Sequence, residues 1–255
     1  MPTYRDRGVV LKTRPIRDAD RHYTIFTENH GKILVLAKGS RRGRSKMSPH
    51  LASFGVVDLM IARGRVIDRL AGAGLVRSFD RVLSALAAAS VAQSFLLTVD
   101  ALTKRELPEE RVFRLIHELL AALDGSDDGR PRSDAGLLFG SAVLKLLDIL
   151  GFAPELGSCI RCRRPLEGDR LAMNTARGGV ECGACRGPNS LIIASETLET
   201  LRAMRRDEFS AVGSLPAGDR ARHQVGLIVE LLLAGHADDR LAALGYMKAV
   251  AAQPG

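Results

Sequence analysis

The chain has 255 residues, 46% of them hydrophobic, 26% charged and 4% aromatic, with no Trp. That balance excludes a disordered chain and suffices for one large domain or two modest ones. The formal net charge of +8 lies in the first 80 residues, where 16 Lys and Arg face 7 Asp and Glu; the remainder carries 21 against 22.

A basic field confined to one segment draws a polyanion to that segment, and nucleic acid is the commonest polyanion in a cytoplasm. The opening "MPTYRDRG" has charge with no apolar stretch behind it, which does not fit a secretory signal. No apolar run reaches the roughly 18 residues that span a bilayer. A cytoplasmic protein with no membrane partner is expected.

Short runs rich in Val, Ile, Leu, Thr and Tyr at 7–13, 22–28, 32–38, 54–62 and 66–76 predict about five strands. "NHGK" (29–32) and "RGR" (63–65) supply hairpin turns. Five short strands within 80 residues suit a small closed barrel, either an OB-fold or an SH3-like barrel. Alternation turns Tyr23 inward with Ile25 and Phe26 outward with Thr24. Beyond residue 80 the period becomes helical. One helix is predicted over 79–105 and a second over 107–125, with Pro108 in its first turn and Gly125 as its stop. A polar loop follows at 126–134, then an apolar and central helix at 135–152, with further helices at 195–206 and 220–235. The expected domains are 1–78 and 79–255, the second interrupted by an insertion at about 155–190.

All four cysteines lie in that insertion, as "CIRC" (159–162) and "CGAC" (182–185). Two residues within each pair let both thiolates face one ion, and the 19 residues between pairs fit a ribbon. Disulfides do not suit a cytoplasmic chain, and a redox CxxC would stand singly at a strand-to-helix turn. Cys159, Cys162, Cys182 and Cys185 are therefore expected to hold one Zn²⁺. With four protein ligands the ion is structural. Arg161, Arg163, Arg164 and Arg186 flank the ligands and offset their negative charge.

Other chemistry is thin. His22, His30, His50, His117, His223 and His236 form no metal-binding or base pattern, and His117 is expected at a helix's solvent edge. No GxxxxGK[ST] loop, GxSxG elbow or strand-GxGxxG-helix unit occurs. An enzyme is not expected.

The most pointed stretch is "AKGSRRGRSK" (37–46), which carries five cations, two glycines and no carboxylate. Lys38, Arg41, Arg42, Arg44 and Lys46 can together neutralise several phosphates and release their counterions. Lys12 and Arg14 extend the basic surface, with Arg17, Arg21 and Lys32 as further candidates. Because Tyr4, Tyr23, Phe26 and Phe54 are the barrel's few rings, binding through the phosphate backbone is expected to outweigh base stacking.

Taken in order, "RDRGVVLKTRPIRDADRHYTIFTENHGKILVLAKGSRRGRSKMSPHLASF" (5–54), "LLDILGFAPELGSCIRC" (146–162) and "GGVECGAC" (178–185) resemble the bacterial RecO family of recombinational DNA repair proteins. The resemblance runs over most of the chain. It implies an α+β multidomain protein: an N-terminal five-stranded OB-fold barrel, then an α-helical domain carrying an inserted four-cysteine zinc ribbon. It also implies binding to single- and double-stranded DNA, annealing of complementary strands, and help in loading RecA onto DNA coated by single-strand binding protein. The implied partners are RecR, the C-terminal tail of single-strand binding protein and, indirectly, RecA. An acidic tail with an apolar end wants an apolar groove rimmed by Arg, and "LRAMRR" (201–206) offers such residues. Three other classes fit the chemistry of the residues: an RNA-associated zinc-ribbon protein of translation or RNA metabolism, a metal-dependent nuclease and, more weakly, a pure interaction scaffold.

Overall fold

The computed structural model describes residues 2–16, 19–40, 47–51, 54–125 and 134–236. By its internal contacts the chain divides into two compact units, Met1–Asp127 and Asp128–Gly255.

The first unit opens with β1 (Thr3–Pro15), β2 (Arg21–Thr27), β3 (Gly31–Ala37), β4 (Gly55–Ala62) and β5 (Asp68–Ser78), joined as a closed barrel in the order β1-β2-β3-β5-β4. Closure depends on the length of β1. Its first half pairs with β4 from Thr3 to Val9, its second half with β2 from Gly8 to Pro15, and the register shifts between Val10 and Lys12. Such a bulge bends a strand enough for it to serve two sheets. Gly8 sits at this crossing, where a Cβ would stand 2.6 Å from Ile25 Cγ2. The circle closes through a short parallel pairing of Val35 and Leu36 with Asp68 and Arg69.

Inward residues of all five strands, among them Tyr23, Ile25, Val35, Val57, Leu59, Ile61 and Leu70, form the barrel core. Tyr23 is thus inside, as alternation predicts. Phe26 faces outward but is fully buried, because a strand's outer face is solvated only where nothing packs on it.

The predicted single helix over 79–105 is two, α1 (Asp80–Ser84) and α2 (Leu86–Leu102), separated by Ala85 in extended conformation at φ −123°. Ser84 Oγ donates to the Arg81 carbonyl at 2.8 Å, a local bond that competes with the helical ladder. α3 (Glu110–Asp124) starts later than its apolar pattern suggests, with Pro108 outside it and the Glu109 carboxylate accepting from Arg111 N. The linker between α2 and α3 covers the part of β3 that β5 does not reach. Arg105 bridges Lys32 in parallel, and Glu106 N donates to the Lys32 carbonyl at 3.0 Å. An open strand edge is thereby satisfied. The linker passes so close to Gly31, whose φ is +65°, that a Cβ there would lie 2.2 Å from the Leu107 carbonyl oxygen.

Asp6 locks the β2–β3 turn onto β1. Its carboxylate accepts from Arg7 N at 2.8 Å, from Asn29 N and Nδ2 at 3.2 and 2.8 Å, and pairs with His30 Nδ1 at 2.6 Å. Burial opposes its ionisation, but the bonds from His30, Asn29 and Arg7 outweigh burial and hold its pKa below the ordinary value. A depressed folded pKa means stability that is present above the unfolded value, about 3.9, and is lost as pH falls through the folded one. Asp6→Ala is expected to cost about 1–2 kcal/mol at neutral pH, since it removes the one acceptor that the part-buried donors of Arg7, Asn29 and His30 share. Urea denaturation should show the gap between wild type and variant closing below about pH 4; a gap independent of pH would refute this assignment.

In the second unit α4 (Ala135–Ile149) is the central helix, with 12 of its 15 residues buried. Asp134 caps it by accepting from Gly136 N and Leu137 N, and pairs with Arg222. α5 (Ser195–Arg206), α6 (Phe209–Val212) and α7 (Asp219–His236) pack against it. Between α4 and α5 stands a small sheet of β6 (Leu171–Asn174), β7 (Gly179–Glu181) and β8 (Leu191–Ile193), in the order β7-β6-β8. Among the described residues no helix is long and apolar enough to cross a membrane.

Candidate metal centre and nucleic-acid interface

The four cysteines converge. Their Sγ atoms all lie within 4.8 Å of one another, and Cys162 and Cys182 are 3.8 Å apart. A tetrahedral ion with bonds of about 2.3 Å to sulfur requires sulfurs about 3.8 Å apart, so the donor set fits Zn²⁺ in both chemistry and size. The first knuckle turns because Arg163 takes a left-handed conformation at φ +61°. There Arg163 N donates to the Cys159 carbonyl, and Cys159 N to the Arg164 carbonyl, both at 2.9 Å. In the second, Cys185 N donates to the Cys182 carbonyl at 3.0 Å. Cys182 N donates to Cys159 Sγ at 3.3 Å and Arg161 to the Cys185 carbonyl at 2.9 Å, so each knuckle also grips the other.

Flanking residues brace the arrangement. The Glu181 carboxylate accepts from Gly187 N at 3.0 Å and Ser190 Oγ at 2.6 Å. Arg202 donates twice to the Leu156 carbonyl and Arg205 to the Pro154 carbonyl, fixing the approach to Cys159 from α5. Burial opposes ionisation of the Cys159 thiol, but amide donors from Cys162, Cys182 and Arg161 prevail and lower its pKa to about 6. Cys185 is pushed up to about 12 by bonding to the sulfurs of Cys162 and Cys182. The amides favour the first thiolate at Cys159, and that thiolate makes the next, at Cys185, harder to form. A dication removes that conflict and permits all four to ionise.

The same arginines dispose of the docking groove expected at 201–206. Leu201 and Met204 are fully buried, and Arg202 and Arg205 are engaged with carbonyls. The amphipathic pattern there belongs to the helix core, so these residues form no apolar groove.

On the barrel, Lys12 pairs across to Thr24 and Arg14 to His22, which sets them on the outer face of β1–β3. Arg14 and Lys38 are exposed, whereas Lys12 is half-buried and ion-paired to Asp100 of α2. Lys32 is almost fully buried and lies 3.5 Å from the same carboxylate. Burial pushes the Lys32 ammonium down and Asp100 partly restores it. Gly39, at φ +66°, carries the chain out of β3, and its N–H donates to Asp20 Oδ1 at 2.8 Å. Arg17, Arg41, Arg42, Arg44 and Lys46 lie outside the described residues.

Asp100 and Arg105 escape a reading of the sequence, because only the packing of α2 against β1 brings them to Lys12 and Lys32. Tyr4 is likewise more occupied than its type suggests. The His30 ring centroid lies 4.4 Å from that of Tyr4, and the Arg63 guanidinium 4.8 Å from it. Burial and Asp68 push its hydroxyl up to about 12. His117 is half-buried at a helix edge, with its ring against Phe79 and its Nε2 3.1 Å from Arg77.

Comparison with known proteins gives concordant matches. The family model described as Recombination protein O N terminal matches residues 1–79, and that described as Recombination protein O C terminal matches residues 83–244. A protein named DNA repair protein RecO from Frankia casuarinae is 31% identical over 250 residues, 97% of this chain and 99% of its own. Its namesake from Cutibacterium acnes is 34% identical over 232 residues, 89% of this chain and 92% of its own. Another, from Rubrobacter xylanophilus, is 34% identical over 207 residues, or 80% and 81%.

Proposed function

The chain belongs to the RecO family of DNA repair proteins, and from that premise we propose that it is a recombination mediator acting on DNA strands. In this reading it binds single- and double-stranded DNA, anneals complementary strands and, with RecR, helps load RecA onto DNA coated by single-strand binding protein. The protein works in the cytoplasm, at the nucleoid during repair. It is not an enzyme. The barrel is read as an OB-fold, and the Cys159, Cys162, Cys182 and Cys185 cluster as a Zn²⁺ ribbon whose role is structural. The C-terminal tail of single-strand binding protein docks on the helical unit, away from 201–206.

The observation that carries the reading is the cationic outer face of β1–β3, which the cations at 41–46 continue in sequence. Cations that contact phosphates neutralise a strand's charge and leave its base edges free. Two strands held this way repel less and can pair. Tyr23 and Phe26 are buried, so neither supplies a stacking platform. Sequence preference is therefore small and salt dependence large.

Mixing two complementary oligonucleotides, one carrying a quencher, tests this directly. Pairing is expected to accelerate with protein at low salt and to fall toward the uncatalysed rate near 0.5 M salt, roughly as the phosphate contacts are screened. No acceleration at any salt would reject annealing. Equal or tighter binding to the matched RNA strand would favour the RNA-associated reading, and Mg²⁺-dependent cleavage would favour a nuclease.

A further inference from the structure

Outside the barrel, register aligns Lys12, Thr24 and Leu34 in one row, Arg14 and His22 in the next, and Phe26 with Lys32 in the row before. The C-terminal end of α2 and the linker after it wall this surface. They leave a cavity of about 350 Å³ lined by Lys12, Arg14, His22, Lys32, Asp100 and Arg105. Four cations thus face one carboxylate. Asp100 accepts from Lys12 and lies 3.5 Å from Lys32 Nζ, which also donates to the Asp100 carbonyl. Asp100 stands near the negative end of the α2 dipole, where a carboxylate is disfavoured. It is held there by the two lysines. Lys32, only 7% exposed, is a desolvated cation that needs an anion beside it.

We propose that this notch is a binding subsite for one phosphate group of a nucleic-acid strand, and that Asp100 occupies the place of the phosphate until a strand displaces it. The exchange swaps one anion for another on Lys12 and Lys32, so neither lysine is left unpaired. Arg14 and Arg105, both exposed at the rim, supply attraction that the carboxylate does not cancel. The subsite rests on the DNA-binding reading above. Its ligand is either an internal phosphodiester, with one negative charge, or a strand's terminal phosphate, with about two.

The test is fluorescence anisotropy with 3′-labelled oligothymidylate of about 16 nucleotides, bearing either a 5′-hydroxyl or a 5′-phosphate. Asp100→Asn is expected to tighten binding roughly five- to tenfold near 0.1 M salt, because a competitor inside the site is removed. Asp58→Asn, on the exposed outer side of β4, removes the same charge elsewhere and is expected to change affinity less than about twofold. Arg14→Gln with Arg105→Gln should weaken binding and lower the log-log salt slope by about 1.4 units, the share of two single-strand contacts. A gain for the 5′-phosphate strand that Asp100→Asn enlarges assigns the subsite to strand ends; equal behaviour of both strands assigns it to internal phosphates. The subsite is overturned if wild type binds but Asp100→Asn binds no tighter than Asp58→Asn. Should Asp100→Asn fail to fold by thermal melting, an unchanged slope in the double arginine variant overturns it instead. Absence of binding by the wild type at low salt would defeat the DNA-binding reading itself.

Discussion

Replacing Arg41, Arg42, Arg44 and Lys46 together with Ala is expected to lower the log-log salt slope for single-stranded DNA by about three units in magnitude. Each single-strand phosphate contact contributes about 0.7 to that slope, so four lost contacts account for the change. Affinity near 0.1 M salt should fall by roughly two to three orders of magnitude, because each such contact also carries counterion-release free energy. The segment concentrates five of the chain's cations between Ala37 and Lys46 without a carboxylate. A salt titration of anisotropy on wild type and variant measures both quantities. Identical slopes would make this a solvated surface loop and would shift the search for the DNA surface to the helical unit and its cysteine ribbon.

Metal removal should produce the second large effect. The protein as purified is expected to carry one Zn²⁺ per chain by elemental analysis, and Cys159→Ser with Cys182→Ser to carry nearly none. Structural zinc contributes on the order of 10 kcal/mol or more to the folding of small modules. Within 155–193 the buried apolar side chains are Leu156, Leu166, Leu171, Ala172, Met173, Val180 and Ile193, fewer than α4 alone contributes. Chelation is therefore expected to abolish amide-exchange protection from β6 to β8, while α4 and α7 keep theirs through their own buried residues. Far-ultraviolet circular dichroism at 222 nm should change little. A metal-free double variant with unchanged protection across 171–193 would show that the ribbon holds itself.

Periodicity shows a segment's type better than its ends. The apolar stripe through 79–105 runs on through Ala85, since α1 and α2 both bury their share of it. The break at that residue is written only in local hydrogen bonding and in what each helix packs against. Pro108 marks the approach to α3, yet the helix waits until Glu110 because the preceding residues cover Gly31 and the free edge of β3. In 201–206 the arginines are plain to see, but their carbonyl partners lie some 50 residues away in sequence.

The candidate sites divide in the same way. Four cysteines in two CxxC pairs point to metal binding from the sequence, because the spacing within each pair is local, while the bonds that hold one knuckle against the other come from the fold. The excess of positive charge in the first 80 residues is equally a property of the sequence, as is the alternation that places Tyr23 inside and Phe26 outside. What required the tertiary structure was the state of each cation. Lys12 and Lys32 look alike in the sequence; packing of α2 against β1 buries one, half-buries the other and sets Asp100 between them, while Arg14 stays exposed. Residue type and spacing decide what a side chain can do, but its partner and its access to water depend on which distant element folds over it.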